Sequence, residues 1–148
     1  MEISMTRPAF GSYIGTFTIL IFVTAVFALI VLMVVTSTRS TLTLENGILS
    51  INSLVYKTKL PLSSIDIQNA KVINMYDEKI SITVRTNGIG LPHAQIGWFR
   101  GPLGKYKLYL TDRTSVLYLP TTEGYIILFS SKDAQTILEQ LQNNPLNP

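Results

Sequence analysis

A mainly β domain behind one N-terminal transmembrane helix is the fold class this sequence predicts, and three observations predict it. No Asp, Glu, Lys, Arg or His occurs between Arg7 and Arg39, and that interval holds the apolar run Ile14 to Val35. From Thr41 onward the hydrophobic period falls to two, in short runs broken by turn signals. From Ser131 it lengthens again, with Ile137, Leu138 and Leu141 at helical spacing. Several short strands followed by one amphipathic helix predict a small antiparallel barrel or sandwich, capped by that helix.

Residues 1–12 read as a leader with Pro8 and Gly11, and 13–36 as the membrane helix. Phe17 to Val35 alone is roughly 19 residues, which at about 1.5 Å each span close to the ~30 Å hydrocarbon core. A cleaved signal peptide is the rival reading. Its apolar core is shorter, about 7–15 residues, and ends at small residues, whereas Val34-Val35-Thr36-Ser37-Thr38 is a poor cleavage site. Gly11 and Gly15 stand four apart, as do Thr24 and Ala28, a spacing that lets two membrane helices approach closely. Arg39, Lys57 and Lys59 follow the helix while Arg7 alone precedes it. The positive-inside tendency then puts the C-terminal domain in the cytoplasm of a single-pass protein of the cell (inner or plasma) membrane. The linker, 37–40, is short enough to hold the domain near the bilayer.

The β region runs over 41–143, with a tail at 144–148. Leu42 and Leu44 alternate with polar neighbours before Asn46-Gly47, the dipeptide that a type I′ hairpin demands, and Ile48 to Ile51 makes the return strand. Val55 to Leu60 alternates, with Lys57 and Lys59 on one face, until Pro61 ends it. Ala70 to Tyr76 and Ile80 to Arg85 are expected strands about the polar turn Asp77-Glu78-Lys79. Asn87 to Lys105 breaks the rhythm with Gly88, Gly90, Pro92, Gly97, Gly101, Pro102 and Gly104, and reads as a long functional loop. Strands resume at Tyr106 to Leu110, Val116 to Leu119 and Tyr125 to Phe129, and the last helix is expected to start from Ser131 as N-cap and to end by Pro145.

Composition narrows the chemistry. The 148 residues carry a net charge of +3 and no cysteine. Disulfides, cysteine zinc sites and thiol nucleophiles are excluded, and the mixed signs give no case for nucleic acid. His93 is the only histidine, too little for a metal site, and no nucleophile-elbow pattern occurs. Asn87-Gly88-Ile89-Gly90 is not a dinucleotide fingerprint, and a turn with positive φ at Gly88 accounts for it better. No cofactor and no small-molecule substrate are expected. Trp98 and Phe99 either plug the mouth of the barrel or insert into a partner or the membrane interface. Arg100, Lys105 and Lys107 follow them and would form a basic patch if they shared a face with Lys57 and Lys59.

Four motifs stand out between Thr41 and Leu141: Arg85-Thr86-Asn87-Gly88-Ile89-Gly90-Leu91-Pro92, then Gly97-Trp98-Phe99, Tyr109-Leu110-Thr111-Asp112-Arg113 and Leu119-Pro120-Thr121. In these the stretch resembles the bacterial pleckstrin-homology (PH-like) domains. Tyr125 to Ser130 with the closing helix is similar to the family's last strand and cap, although His93 and Ala94 stand where related sequences commonly have Gly and an aromatic residue. The resemblance implies a split barrel of about seven strands with a helix over one end, and no enzymatic activity. The function expected is therefore a membrane-anchored binding or scaffolding module for a protein partner or a second copy, or an accessory subunit of a membrane complex. The alternative is recognition of phospholipid headgroups. Candidate contact residues are Lys57, Lys59, Asn87, Gly88, Pro92, His93, Trp98, Phe99, Arg100, Lys105 and Lys107, with Gly11, Gly15, Thr24 and Ala28 for helix packing.

Overall fold

A computed structural model describes residues 10–37, 39–53 and 55–144. The leader residues 1–9 and tail residues 145–148 lie outside the described residues. Contacts divide the chain into two units, Met1–Thr36 and Ser37–Pro148. The first is a helix, α1 (Phe10–Ser37). Its segment Tyr13–Met33, with mean hydropathy 2.7, is long and apolar enough to cross a membrane and is wholly exposed. Thr18 and Thr24 donate their hydroxyls to the carbonyls of Ile14 and Leu20, at 2.9 and 2.8 Å, so neither polar group is left without a partner on an apolar helix.

The second unit contains nine strands among the described residues, where about seven are expected. They are β1 (Ser40–Glu45), β2 (Ile48–Ser53), β3 (Lys57–Pro61), β4 (Lys71–Ile73), β5 (Val84–Leu91), β6 (Ala94–Gly101), β7 (Gly104–Leu110), β8 (Val116–Pro120) and β9 (Tyr125–Ser130), followed by helix α2 (Ala134–Gln142). They form two sheets, one ordered β1-β2-β3 and one β4-β8-β9-β7-β6-β5. The barrel is split rather than closed. One pair departs from the antiparallel expectation: β7 runs parallel to β9. Hairpin β8–β9 returns to β7 with β9 inserted between, across a five-residue crossover held by hydrogen bonds. Ser130 Oγ accepts from the Thr111 N–H at 2.8 Å. Asp112 accepts from the N–H groups of Arg113 and Thr114 at 2.6 and 3.1 Å and from the Thr114 hydroxyl at 2.7 Å. Those bonds, led by the Thr114 hydroxyl, hold the Asp112 carboxyl below the usual carboxylate range.

Alternation along the strands gives the larger sheet two apolar faces. Ile96, Tyr109, Leu117, Leu119, Ile127 and Phe129 point one way, into a core shared with Leu49, Ile51 and Leu60 of the small sheet and with Ala134, Leu138 and Leu141 of α2. Thr58 enters that core as a buried polar group and hydrogen-bonds the Tyr109 hydroxyl. Phe99, Tyr106, Leu108, Leu110, Val116 and Leu128 point the other way, under Ile73, Met75, Ile80 and Ile82.

That second face explains two shortened strands. Only Lys71–Ile73 of the expected strand at 70–76 is paired, because the Asn74 carbonyl accepts from the N–H groups of Asp77 and Glu78 and turns the chain. Pairing of the next strand begins at Val84, since Ile80 and Ile82 lie over the second core. The helix starts two residues later than expected: its N-cap is Asp133, and Ser131 Oγ accepts from the Asp133 N–H at 3.1 Å.

The larger correction concerns the expected loop at 87–105. It is strand, turn, strand, turn and the start of a third strand, with β5 and β6 joined at Pro92-His93 and β6 and β7 at Pro102-Leu103. Gly88 does have positive φ, +137°, but inside a strand and opposite Gly97, whose φ is +121°. A Cβ on Gly88 would lie 2.1 Å from the Ile96 carbonyl oxygen, and one on Gly97 2.4 Å from that of Asn87. The glycines therefore permit two backbones to close together beside the irregularity at Arg85/Asn87. The expected Asn46-Gly47 turn is present, with φ of +51° and +73°.

Replacing Gly97 by Ala is expected to cost about 3 kcal/mol, combining strain at positive φ with a backbone clash. Gly104→Ala, at φ +111° but with nothing within 4 Å of the added methyl, should cost about 1 kcal/mol. Urea unfolding of the two variants checks the ranking; equal losses would contradict it.

Candidate functional site

Where the small sheet and α2 stop covering the first face of the larger sheet, its side chains change character. Along β6 the face reads Ile96, Trp98, Arg100, and along β7 Tyr109, Lys107, Lys105, in direct register: Ile96 opposite Tyr109, Trp98 opposite Lys107, Arg100 opposite Lys105. Parallel pairing then sets Tyr125 of β9 beside Lys105. Alternation that builds the core thus carries on past it into an aromatic and cationic surface. Thr86 and Asn87 from β5 and Glu123 from the β8–β9 turn complete a groove of about 350 Å³.

Trp98 and Tyr125 meet edge to face, with ring centroids 5.0 Å apart and planes at 68°. The Lys107 ammonium lies 4.8 Å from the centre of the Trp98 ring. Lys107 is half-buried, and loss of solvent lowers its pKa, against the pull of the Glu123 carboxylate. Burial pushes the Tyr125 phenol up to about 12, with the charge of Glu123 adding to it. The Asn87 side-chain oxygen accepts from the Tyr56 hydroxyl at 2.7 Å, and Thr86 donates to the Trp98 carbonyl at 3.0 Å. Both β5 side chains are thereby positioned. Arg100 and Lys105 are exposed and directly opposite one another.

The structure brings Asn87, Trp98, Arg100, Lys105 and Lys107 together. It divides the aromatic pair: Trp98 faces the groove, while Phe99 is 3% exposed and its ring belongs to the second core. Gly88 lines the β5–β6 contact rather than offering a surface. Pro92 and His93 form the exposed turn at the other end of that hairpin, five residues along β6 from Trp98 or about 17 Å at strand rise. Lys57 and Lys59 project from β3 away from the core, since Thr58 and Leu60 are the buried members of that strand. The five basic residues therefore do not share one sheet face. In α1, Gly15 has nothing within 4 Å of an added Cβ and Ala28 is exposed; the surroundings of Gly11 lie outside the described residues.

Thr86, Glu123 and Tyr125 were not legible as site residues. Tyr125 opens an alternating run with Ile127 and Phe129, so its direction was readable, but its neighbours depended on the parallel pairing. Among the described residues no group of three His, Cys, Asp or Glu side chains is placed to hold a metal.

Burial of Tyr125, which raises its pKa, makes stability depend on pH. Its phenol is ionised near pH 10 in the unfolded chain and near 12 in the fold, so its stabilisation is complete below pH 10 and is lost from pH 10 towards 12. Lys107 acts in the opposite sense, because its lowered pKa makes the fold bind a proton less well than the unfolded chain does. Tyr125→Phe removes the first effect. Over pH 9–12 its unfolding midpoint should fall less steeply than that of the wild type; parallel curves would contradict the assignment.

No curated protein and no solved structure matches the chain. A family model, described as bacterial PH domain, matches residues 40–144. That interval contains both sheets, both cores, α2 and every residue of the groove. PH-like domains are generally binding modules without enzymatic activity, which agrees with a groove built from aromatic and cationic side chains at the edge of a split sheet. This chain, with its N-terminal apolar helix, belongs to the bacterial PH domain family.

Proposed function

We propose that the protein is a membrane-anchored, non-enzymatic binding module whose recognition site is the groove over Trp98, and that its ligand is an anionic group on a protein partner. The observation that carries this is charge at one place: Arg100 and Lys105 line the groove, the Lys107 ammonium lies over the Trp98 ring beside them, and among the described residues Glu123 is the one carboxylate in the lining. Arg100 and Lys105 are cross-strand neighbours of like charge, an arrangement that costs stability unless an anion compensates it. Among the described residues the single ion pair within 4 Å is elsewhere, between Lys71 and Glu78. A non-catalytic role is supported by the side chains themselves. The Thr86 hydroxyl is already committed to a backbone carbonyl, and among the described residues no histidine, cysteine or serine lines the groove.

Anchoring by α1 would raise the effective concentration of the domain for any partner in the same membrane, so modest groove affinity suffices. The basic residues after the helix support a cytoplasmic domain. Proteolysis of right-side-out and inverted membrane vesicles checks this: cleavage between residues 40 and 144 is expected in inverted vesicles, and cleavage of right-side-out vesicles would reverse the orientation.

A second reading, contact with anionic lipid, has one observation in its favour. Leu103 at the β6–β7 tip is 61% exposed between Arg100 and Lys105, and its N–H is donated to the Tyr106 hydroxyl at 3.3 Å. Crosslinking in native membranes separates the two. Full-length protein is expected to capture a protein partner, and Arg100→Glu with Lys105→Glu to reduce capture at least tenfold with an unchanged unfolding midpoint. Undiminished capture would sink the groove reading; loss of binding to anionic vesicles with no protein partner captured would favour lipid.

A further inference from the structure

The groove is bordered by an open sheet edge. β5 pairs with β6 on one side, and among the described residues no strand pairs with it on the other. It is eight residues long, six of them exposed. Such an edge presents backbone donors and acceptors to any chain able to lie alongside it. The opposite edge, β4, has only three residues and α2 packed beside it. β5 carries neither Lys nor Pro, the residues that commonly guard an edge; its protections are Arg85 and the irregularity at Arg85/Asn87. Exposed apolar side chains, Val84 at 54% and Leu91 at 42%, stand at its two ends.

Register connects this edge to the groove. Val84 is opposite Arg100 and Asn87 is opposite Trp98, so both lie on the face that carries Lys105 and Lys107. A strand added to β5 would place every second side chain on that same face. Those side chains would stand about 10 Å, two strand spacings, from the β6 backbone, within reach of an extended arginine meeting a carboxylate.

We infer that a partner protein adds an acidic, extended segment to β5 as a further strand, with its alternate carboxylates turned towards Arg100 and Lys105. This rests on the groove being the recognition site. Main-chain hydrogen bonds to β5 supply affinity and the cations select acidic side chains, the division of labour usual for strand addition. A chain fits better than a bilayer. Arg100, Lys105 and Lys107 stand on β6 and β7, on the face of the large sheet that also builds the first core, while Lys57 and Lys59 project from β3 away from that core, so the basic side chains are divided between two sheets.

Trp98 is the only tryptophan, which makes its emission a direct report on the groove. Full-length protein in non-ionic detergent is titrated with a synthetic peptide of alternating Glu and Thr, about eight residues long to match β5. Two further peptides of identical charge are N-methylated at every Glu or at every Thr, which removes the donors along one edge or the other. A saturable change in Trp98 emission is expected, weakened at least tenfold by one of the two methylation patterns and by Arg100→Glu with Lys105→Glu. If the peptide binds but neither pattern alters its affinity, the strand-addition inference falls while the groove reading stands. If the double charge reversal also leaves peptide affinity unchanged, both fall. No saturable change overturns the inference, as does binding to phosphatidylglycerol vesicles that the peptide fails to displace.

Discussion

A six-stranded sheet has two apolar faces, and the folded domain depends on hiding both with little material. One face is met by three short strands and a nine-residue helix. The other has only the segment through Met75, Ile80 and Ile82. Each fully buried side chain of Leu or Ile size contributes about 1.5–3 kcal/mol relative to leaving it exposed, so neither cover is dispensable. The covers also fix the limits of the core. Beyond Ile96 and Tyr109 the side chains of the first face are half-buried or exposed, and a side chain able to meet water is required there. Trp98, Lys107, Arg100 and Lys105 occupy those places. The groove is thus a consequence of where burial ends.

That origin explains why the groove is orderly although much of it is exposed. Its side chains stand on strands whose other positions are locked in one core or the other. Phe99 is buried immediately between Trp98 and Arg100, and Tyr106 between Lys105 and Lys107. A rotation of either strand that moved a groove residue would have to expose one of these rings. The aromatic pair and the ammonium over it are held by the same alternation that supports the domain, which favours recognition by a preorganised surface.

Much of this was legible from the residues. The apolar run, the Asn46-Gly47 hairpin and the closing helix carry strong local signals. The segment 87–105 did not, because glycine density normally marks a loop, whereas Gly88 and Gly97 let two strands approach more closely than a Cβ allows. Alternation survives around them, in Ile89 and Leu91 and again in Ile96 and Trp98, and it was the better guide. Lys107 and Trp98 were singled out separately, but their contact needed the β6–β7 register. Tyr125 reaches the site through a parallel pairing, which leaves no mark in the neighbouring sequence, and Glu123 through the turn before that strand. Long-range pairing is where local pattern stops being informative.

The same parallel pairing bears on how the domain comes into being. β9 is the last of the described strands and yet sits inside the sheet, between β7 and β8. Until residues 125–130 have left the ribosome, β7 has an open side and the β4–β8 pair has no strand to join it to the rest of the sheet. Hairpins β5–β6–β7 form from local contacts, but the sheet cannot close over either core until β9 is in place. The apolar helix, long enough to cross a membrane, precedes the domain in the chain, so it is made before the strand that completes the sheet.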